Sequence, residues 1–192
     1  DPGRPMIAQI SRFDPWKDPL GVIDAYREAK KTVTGLQLVM VAAMAGDDPE
    51  GWVYYEKTLR HAGDDPDIYF LTDLHGLGND TQVNVIQAKA DVVVQKSIRE
   101  GFGLTVTEAL WKSKPVVAGN VGGIRLQVLP GETGFLASST QEFVQHILYI
   151  LANRDEAQKM GKAGNEHVRR NFLITRLLRD YLRMFNRLLG NT

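Results

Sequence analysis

Cysteine is absent from all 192 residues of the chain. Without a thiol there is no disulfide, no thiolate zinc site, no iron–sulfur cluster and no cysteine nucleophile. The four histidines show no spacing typical of metal ligands, so we predict no metal site. A chain without disulfides suits a reducing compartment, and we expect a cytoplasmic protein.

An excess of charge of either sign is also lacking. Lysine and arginine total 23, aspartate and glutamate total 23, and the formal net charge is zero. A general nucleic-acid binder needs a basic face for the phosphates, and a polybasic membrane anchor needs clustered cations. We therefore expect neither a nucleic acid nor a membrane surface as a partner.

Long apolar segments are missing as well. The longest strongly apolar run, Leu38 to Ala45, is far shorter than the roughly 20 residues of a membrane-spanning helix. We expect no membrane span. Because the chain begins at Asp1 and reaches a predicted strand within a few residues, we interpret it as one piece of a longer protein.

Two common phosphate-binding fingerprints do not occur. Gly76-Leu77-Gly78 is followed by Thr81, and Gly101-Phe102-Gly103 by Val106, so neither completes Gly-x-Gly-x-x-Gly. There is no Gly-Lys-Ser/Thr loop either. A third motif, Asp65-Pro66-Asp67, resembles an Asp-x-Asp metal motif but precedes a predicted strand, and we interpret it as a loop.

Short apolar runs alternate with helical patterns along most of the chain. The predicted strands are Met6–Ser11, Leu36–Ala42, Ile68–Leu71, Asp91–Gln95, Pro115–Ala118 and Gly134–Leu136. This alternation, with continuously apolar strands, indicates an α/β fold: a Rossmann-like parallel sheet of about six strands with helices on both faces. Helices alone follow, at Thr140–Asn153, Arg154–Asn171 and Leu173–Leu189. We expect one domain over residues 1–192, with a helical C-terminal segment.

Ligands of open parallel sheets bind beyond the carboxyl ends of the strands. Arg12 and Lys17 follow the first strand, where two cations suit a diphosphate. A pair of surface cations is the alternative that this loop leaves open. Two further candidate loops follow later strands. The third of the three, residues 119–123, follows the strand Pro115–Ala118, and its glycines indicate either close approach to a ligand or a simple turn.

The second candidate loop follows the strand Asp91–Gln95 and leads directly into a predicted helix. Gly101 and Gly103 allow the backbone to approach a ligand, and the first helical turn offers free amide groups to an anion. Glu100 lies in the loop, and Glu108 lies where it either reaches a sugar hydroxyl or is an exposed helix carboxylate. Together, the three loops indicate a ligand with a diphosphate and hydroxyl groups, which describes a nucleotide sugar.

Arg12-x4-Lys17 followed by Glu100-x7-Glu108 resembles the donor-binding half of a retaining glycosyltransferase of family 4, which has the GT-B fold. The similarity runs from about Pro5 to the last helix. The stretches that most resemble glycosyl-transferring trehalose synthases and the related retaining trehalose phosphorylases are Ser11–Pro19, Gly46–Trp52, Ser97–Lys112 and Gly122–Val128.

The resemblance implies a role for each matching position. Arg12 and Lys17 would hold the donor diphosphate and stabilise the departing nucleoside diphosphate. Glu100 would bind hydroxyls of the donor sugar, and Glu108 the ribose. Backbone amides would meet the phosphates along Gly101, Phe102, Gly103, Leu104 and Thr105. Thr72 and Leu74 would contact the base.

The chain departs from the family pattern at Gln95-Lys96-Ser97, where a proline commonly precedes the serine. This departure leaves the contacts on the base side open. Three tryptophans, Trp16, Trp52 and Trp111, are interpreted as packing residues.

The resemblance implies transfer of glucose from a nucleoside-diphosphate glucose, UDP- or ADP-glucose, to an acceptor. With glucose as the acceptor, the product would be trehalose. Another family 4 transfer, trehalose phosphorolysis and a non-catalytic nucleotide-binding module stay open as alternatives. It also implies an N-terminal acceptor domain that this sequence lacks, and no tightly bound cofactor. We therefore expect the chain alone to bind nucleotide weakly and to transfer sugar negligibly.

Overall fold

The computed structural model of the chain describes residues 1, 3–42, 44, 47–72 and 79–190. The strands are β1 Met6–Ile10, β2 Gln37–Ala42, β3 Ile68–Thr72, β4 Val92–Gln95, β5 Val116–Gly119 and β6 Gly134–Ala137. The helices are α1 Pro19–Lys30, α2 Pro49–Ala62, α3 Asp80–Lys89, α4 Leu104–Trp111, α5 Ile124–Gln127, α6 Thr140–Ala152, α7 Arg154–Asn171 and α8 Ile174–Leu188.

The six strands form one parallel sheet in the order β3-β2-β1-β4-β5-β6. This is the order of a doubly wound nucleotide-binding fold, whose ligand crevice lies where the order reverses. Here the reversal falls between β1 and β4, so the loops after these two strands flank the crevice. The predicted α/β fold is confirmed, and each predicted strand agrees with the structure to within one residue at either end.

Apolar clusters cover both faces of the sheet. One face packs against α1, α2 and α6, with Tyr26, Tyr55 and Phe143 among the buried side chains. The other face packs against α4 and α7, with Leu110 and Val168 in its core. Because both faces of the central strands are covered, these strands are mostly apolar, with Gln9 as a buried polar side chain in β1.

The same four-residue motif begins the helices that follow β1 and β2. In Asp18-Pro19-Leu20-Gly21 and in Asp48-Pro49-Glu50-Gly51, the aspartate caps the helix and accepts from the glycine amide, at 3.1 and 2.9 Å. A Cβ atom on Gly21 would lie 2.2 Å from the Asp18 carboxylate. Proline suits the first helical position because its missing N–H would have no partner there.

Helix α8 lies apart from both clusters, and none of its residues is buried. Three of its four arginines, Arg176, Arg179 and Arg183, form ion pairs with Asp180, the shortest from Arg176 at 2.6 Å. The basic residues of this helix, Arg176, Arg179, Arg183 and Arg187, are therefore solvent-exposed. No helix within the described residues combines the length and the apolar character needed to cross a membrane.

The carboxylates of Asp65 and Asp67 lie just before β3, at the amino edge of the sheet and away from the crevice. Asp67 accepts from Arg4 at 2.5 Å and pairs with Lys30 at 3.0 Å, while Asp65 accepts from Lys30 at 2.7 Å. Hydrogen bonds from Arg4 and then from Lys30 hold the pKa of Asp67 below its usual range. These contacts tie the N-terminal segment and α1 to the start of β3.

Replacing Asp67 with asparagine should make the unfolding free energy less dependent on pH in acid. A carboxylate whose pKa is lowered by folding stabilises the native state above its unfolded pKa, near 3.9, and loses that contribution as the pH falls. We expect the variant to be less stable at neutral pH and to converge on the wild type toward pH 2. Urea titrations across this range measure the difference, and parallel profiles would contradict the assignment.

Ser113 adopts the left-handed conformation, with φ +58°, in the turn that ends α4. The Ser113 amide donates to the Leu110 carbonyl and the Lys114 amide to the Ala109 carbonyl, which completes a Schellman cap. Glycine adopts this conformation without strain. Ser113→Gly should therefore raise the unfolding free energy by about 1 kcal/mol.

Ser113→Ala is the matched control for this change, because it removes the hydroxyl but keeps the unfavourable φ. Denaturant unfolding should show a gain for glycine and little change for alanine. Equal effects of the two substitutions would show that the backbone conformation is not the cause.

Candidate functional site

The loops that follow β1 and β4 are joined directly across the reversal point of the sheet. The Ile98 amide donates to the Trp16 carbonyl at 2.8 Å, and the Lys17 ammonium contacts Oε2 of Glu100. The Lys17 and Glu100 side chains are 18% and 13% exposed, so water screens this ion pair only partly. The structure thus brings together two of the three predicted catalytic residues, which are 83 positions apart in the sequence.

A second ion pair supports the same junction. The Lys96 ammonium contacts Oδ2 of Asp18, while Oδ1 of Asp18 caps α1. Asp18 has a φ of +46°, a strained conformation that aspartate tolerates better than most residues. From β1 beneath, the buried Gln9 amide donates to the Lys17 carbonyl at 3.2 Å. Asp18 therefore has two roles, as the cap of α1 and as the partner of Lys96.

A cavity of about 430 Å³ opens at this junction. Its lining residues are Arg12, Asp14, Trp16, Lys17, Arg99, Glu100 and Gly101. Trp16 is 45% exposed and carries the Arg99 guanidinium 4.4 Å above its ring centre, so it forms part of the cavity wall. The Trp16 ring thus packs against Arg99 at the surface and not in the core. Arg99 was missed because an exposed arginine in a loop gives no sequence signal.

Arg12 lies at the rim of the cavity and does not touch the Lys17–Glu100 pair. Its guanidinium is 67% exposed and lies 3.6 Å from Asp14 and 3.7 Å from Asp48. Asp48 is also the cap of α2, so the start of that helix contributes a carboxylate to the rim. Two carboxylates orient the arginine weakly and leave its donors accessible to a ligand.

The backbone between Gly101 and Thr105 presents free donors beside this cavity. None of the five amides in this segment donates to an acceptor within the described part of the chain. Gly103 precedes the helix with a φ of +85°, a conformation that favours glycine. The start of α4 therefore has no side-chain cap and is suited to an anion. Phe102 and Leu104 are exposed in the same segment.

Glu108 lies one turn into α4 and is exposed. Its burial therefore agrees with the alternative of an exposed helix carboxylate. Its Oε2 accepts from the buried Gln87 amide at 3.0 Å, and Lys112 donates to the carbonyl oxygen of Gln87 at 2.7 Å. Gln87 on α3 was missed by the sequence reasoning. A buried glutamine facing the next helix fixes the carboxylate in one orientation.

Thr72 ends β3 and is fully buried. It shares the carboxyl edge with the cavity, but β2 and β1 separate it from β4, a distance of roughly 14 Å across the sheet. Leu74 lies outside the described residues. The assignment of both residues to a base contact stays a prediction.

The third loop supports the second rather than facing the cavity itself. A Cβ atom on Gly122, whose φ is +46°, would lie 1.7 Å from the Glu100 carbonyl oxygen. One on Gly123 would lie 2.3 Å from the Gly101 carbonyl oxygen, and one on Gly119 2.2 Å from that of Ser97. These glycines allow protein backbone to come close, which favours the simple turn, the second of the two alternatives that the sequence left open.

Residues 1–167 match the family "Glycosyl transferases group 1". The chain therefore belongs to this family of enzymes. It is 55% identical over 190 residues to a trehalose synthase of Rubrobacter xylanophilus, covering 99% of this chain and 45% of that protein. It is 33% identical over 178 residues to a trehalose phosphorylase of Grifola frondosa, covering 87% and 24%.

Solved glycosyltransferase structures share the fold. The sucrose-phosphate synthase of Thermosynechococcus elongatus aligns with a TM-score of 0.82 at 24% identity, covering 100% of this chain and 47% of that one. Anabaena HepE in complex with UDP-glucose aligns with a TM-score of 0.75 at 22% identity, covering 94% and 48%. These neighbours have the GT-B fold. The chain spans about half the length of the trehalose synthase and of these two solved structures.

Gly122→Ala and Gly101→Ala form a matched pair of tests for the two glycine roles. Gly122→Ala should displace the Glu100 loop and lower the melting temperature by several degrees, because its Cβ would overlap a carbonyl oxygen. Gly101 has no heavy atom within 4 Å of a Cβ position, so alanine there should leave the melting temperature unchanged. Thermal denaturation followed by circular dichroism compares the two. A stable Gly122→Ala variant would refute the packing role.

Proposed function

We propose that this chain is the donor-binding domain of a retaining glycosyltransferase of family 4. The observation that carries the proposal is the cavity in which the Lys17 ammonium contacts Glu100 beside the free amides of residues 101–105. Cations and free amides suit a diphosphate, and a carboxylate suits sugar hydroxyls. One cavity edge thus offers both halves of a nucleotide sugar their complementary chemistry.

The diphosphate lies between the cations and the start of α4 in this proposal. Lys17 and Arg12 contact its oxygens, and the amides from Gly101 to Thr105 donate to it. Glu108, held by Gln87, accepts from the ribose hydroxyls. The base extends along the carboxyl edge toward Thr72, which a nucleoside would reach across β1 and β2, and Leu74 is proposed as a second base contact.

The reaction proceeds by stabilisation of the leaving group. The bond between the anomeric carbon and the diphosphate oxygen breaks, its electron pair stays on the phosphate, and the sugar acquires oxocarbenium character. The acceptor hydroxyl attacks the face that the leaving group vacates, and its proton passes to the departing phosphate oxygen. Lys17, Arg12 and the α4 amides meet the growing negative charge, where one preorganised donor typically contributes about 3 kcal/mol.

Glu100 binds the donor sugar and does not act as a covalent nucleophile in this proposal. Its Oε2 is engaged by Lys17, while Oε1 has no hydrogen-bond donor within the described residues and is available to a sugar hydroxyl. Glu108 serves the ribose, so the two carboxylates do not form the pair that glycoside hydrolases use.

The substrates are proposed from the relatives. High identity to a trehalose synthase supports glucose as the transferred sugar and as the acceptor, with trehalose as the product. The UDP-glucose complex of HepE supports a nucleoside-diphosphate glucose as the donor, UDP- or ADP-glucose. Because the chain spans 45% of the synthase's length, a second domain supplies the acceptor site, and this chain alone transfers sugar negligibly.

The test is a calorimetric titration of the chain with UDP, ADP and GDP, in wild type and in Lys17→Met. Loss of one charge-assisted contact should weaken binding of the preferred nucleotide about tenfold to hundredfold. Glu108→Ala should weaken nucleoside diphosphates but leave inorganic pyrophosphate unaffected, because pyrophosphate has no ribose.

Lys31→Met is the matched control, since Lys31 directly follows α1 and its side chain is 70% exposed. It should leave nucleotide affinity unchanged. Folding of every variant is checked by circular dichroism, because Lys17→Met leaves Glu100 without its cation. If Lys17→Met binds as the wild type does, the diphosphate lies elsewhere and the proposal fails.

A further inference from the structure

A chain of hydrogen bonds runs from the first turn of α4 to the Glu100 carboxylate. The Thr105 hydroxyl donates to Oε1 of Gln95 at 3.2 Å, and Nε2 of Gln95 donates to the Ser97 hydroxyl at 2.9 Å. The Ser97 hydroxyl in turn donates to Oε2 of Glu100 at 3.3 Å. These contacts occupy the segment Gln95-Lys96-Ser97, where the sequence departs from the pattern of its family.

The direction of each bond is fixed by the Gln95 amide. Its NH2 group faces Ser97 and occupies an acceptor site of that hydroxyl, so the hydroxyl proton remains available to Glu100. Its carbonyl oxygen faces Thr105, which can donate. Every donor in this series of hydrogen bonds therefore points toward the Glu100 carboxylate.

Burial makes this arrangement rigid. Gln95 is 2% and Ser97 is 3% exposed, so water does not compete for their polar groups. The Ser97 backbone is held against Gly119, where no side chain fits. Lys17 reaches the same oxygen through a long flexible side chain, which supplies charge but little direction. The hydroxyl therefore fixes the rotation of the Glu100 carboxylate and leaves Oε1 facing away from these donors.

We propose that Gln95 and Ser97 are positioning residues that orient the Glu100 carboxylate toward the donor sugar. The inference rests on the proposed function, because it needs Glu100 to bind that sugar. It assigns a task to Gln95-Lys96-Ser97: the outer two residues orient Glu100, and Lys96 ties the loop to Asp18. Both side chains are almost fully buried, so their role is exerted through Glu100.

The test compares UDP with UDP-glucose, because only the sugar reports on Glu100. Titrations followed by nuclear magnetic resonance give both dissociation constants for wild type, Ser97→Ala and Gln95→Met. Each variant should lower the affinity for UDP-glucose relative to UDP by about tenfold, while the UDP affinity stays within about twofold. Ser97→Thr keeps the hydroxyl and should restore the wild-type ratio.

Thr58→Val is the matched control, since Thr58 is a fully buried hydroxyl on α2 that bonds to the Tyr54 carbonyl. It should lower stability without changing the ratio. If Ser97→Ala and Gln95→Met fold and keep the wild-type ratio, the positioning role is refuted and the donor site stands. If the wild type binds neither these two ligands nor ADP and ADP-glucose at millimolar concentration, the proposed function fails, and the inference fails with it.

Discussion

The contact between Lys17 and Glu100 closes the point at which the strand order of the sheet reverses. Parallel strands on either side of such a point send their following helices to opposite faces, and the two loops would otherwise diverge. A partly dry ion pair, together with the backbone bond from Ile98 to Trp16, holds them together. The cavity, the orientation of Glu100 and the position of the free α4 amides all depend on that closure.

Contacts within the protein hold this closure in place. Asp18 caps α1 and pairs with Lys96. The backbone at Gly122 packs against the Glu100 loop, and the buried Gln95 amide holds Ser97. A ligand that enters such a site does not have to order it, and more of the interaction energy then appears as affinity. The arrangement is also sensitive, because a buried ion pair that loses one partner leaves a charge in a poor environment.

The fold could be predicted from the sequence because its signals are local and repeated. Apolar runs such as Val92–Val94 and starts such as Asp48-Pro49 are read over a few residues, and alternation then allows few topologies. The membership of Lys17 and Glu100 in one site followed from the rule that strand ends share an edge. Both are charged residues in the loops that follow predicted strands.

The remaining features could not be predicted because they depend on which surfaces meet. The sequence does not show whether a glycine faces open space or another loop. The packing role of Gly122 could therefore not be distinguished from the open position of Gly101. Gln87 and Gln95 are buried polar residues whose partners lie on other elements. Arg99 pairs with Trp16 only because the loop after β4 folds back over the loop after β1.

Helix α8 has a consequence for the order in which the structure comes apart. Its fifteen residues bury no side chain, and a helix of that length is marginal in water when nothing packs against it. Its backbone amides should therefore exchange with solvent deuterium through local opening, independently of the sheet, whose amides exchange only when the whole domain unfolds. The chain thus contains two tiers of cooperativity, with a boundary near residue 173.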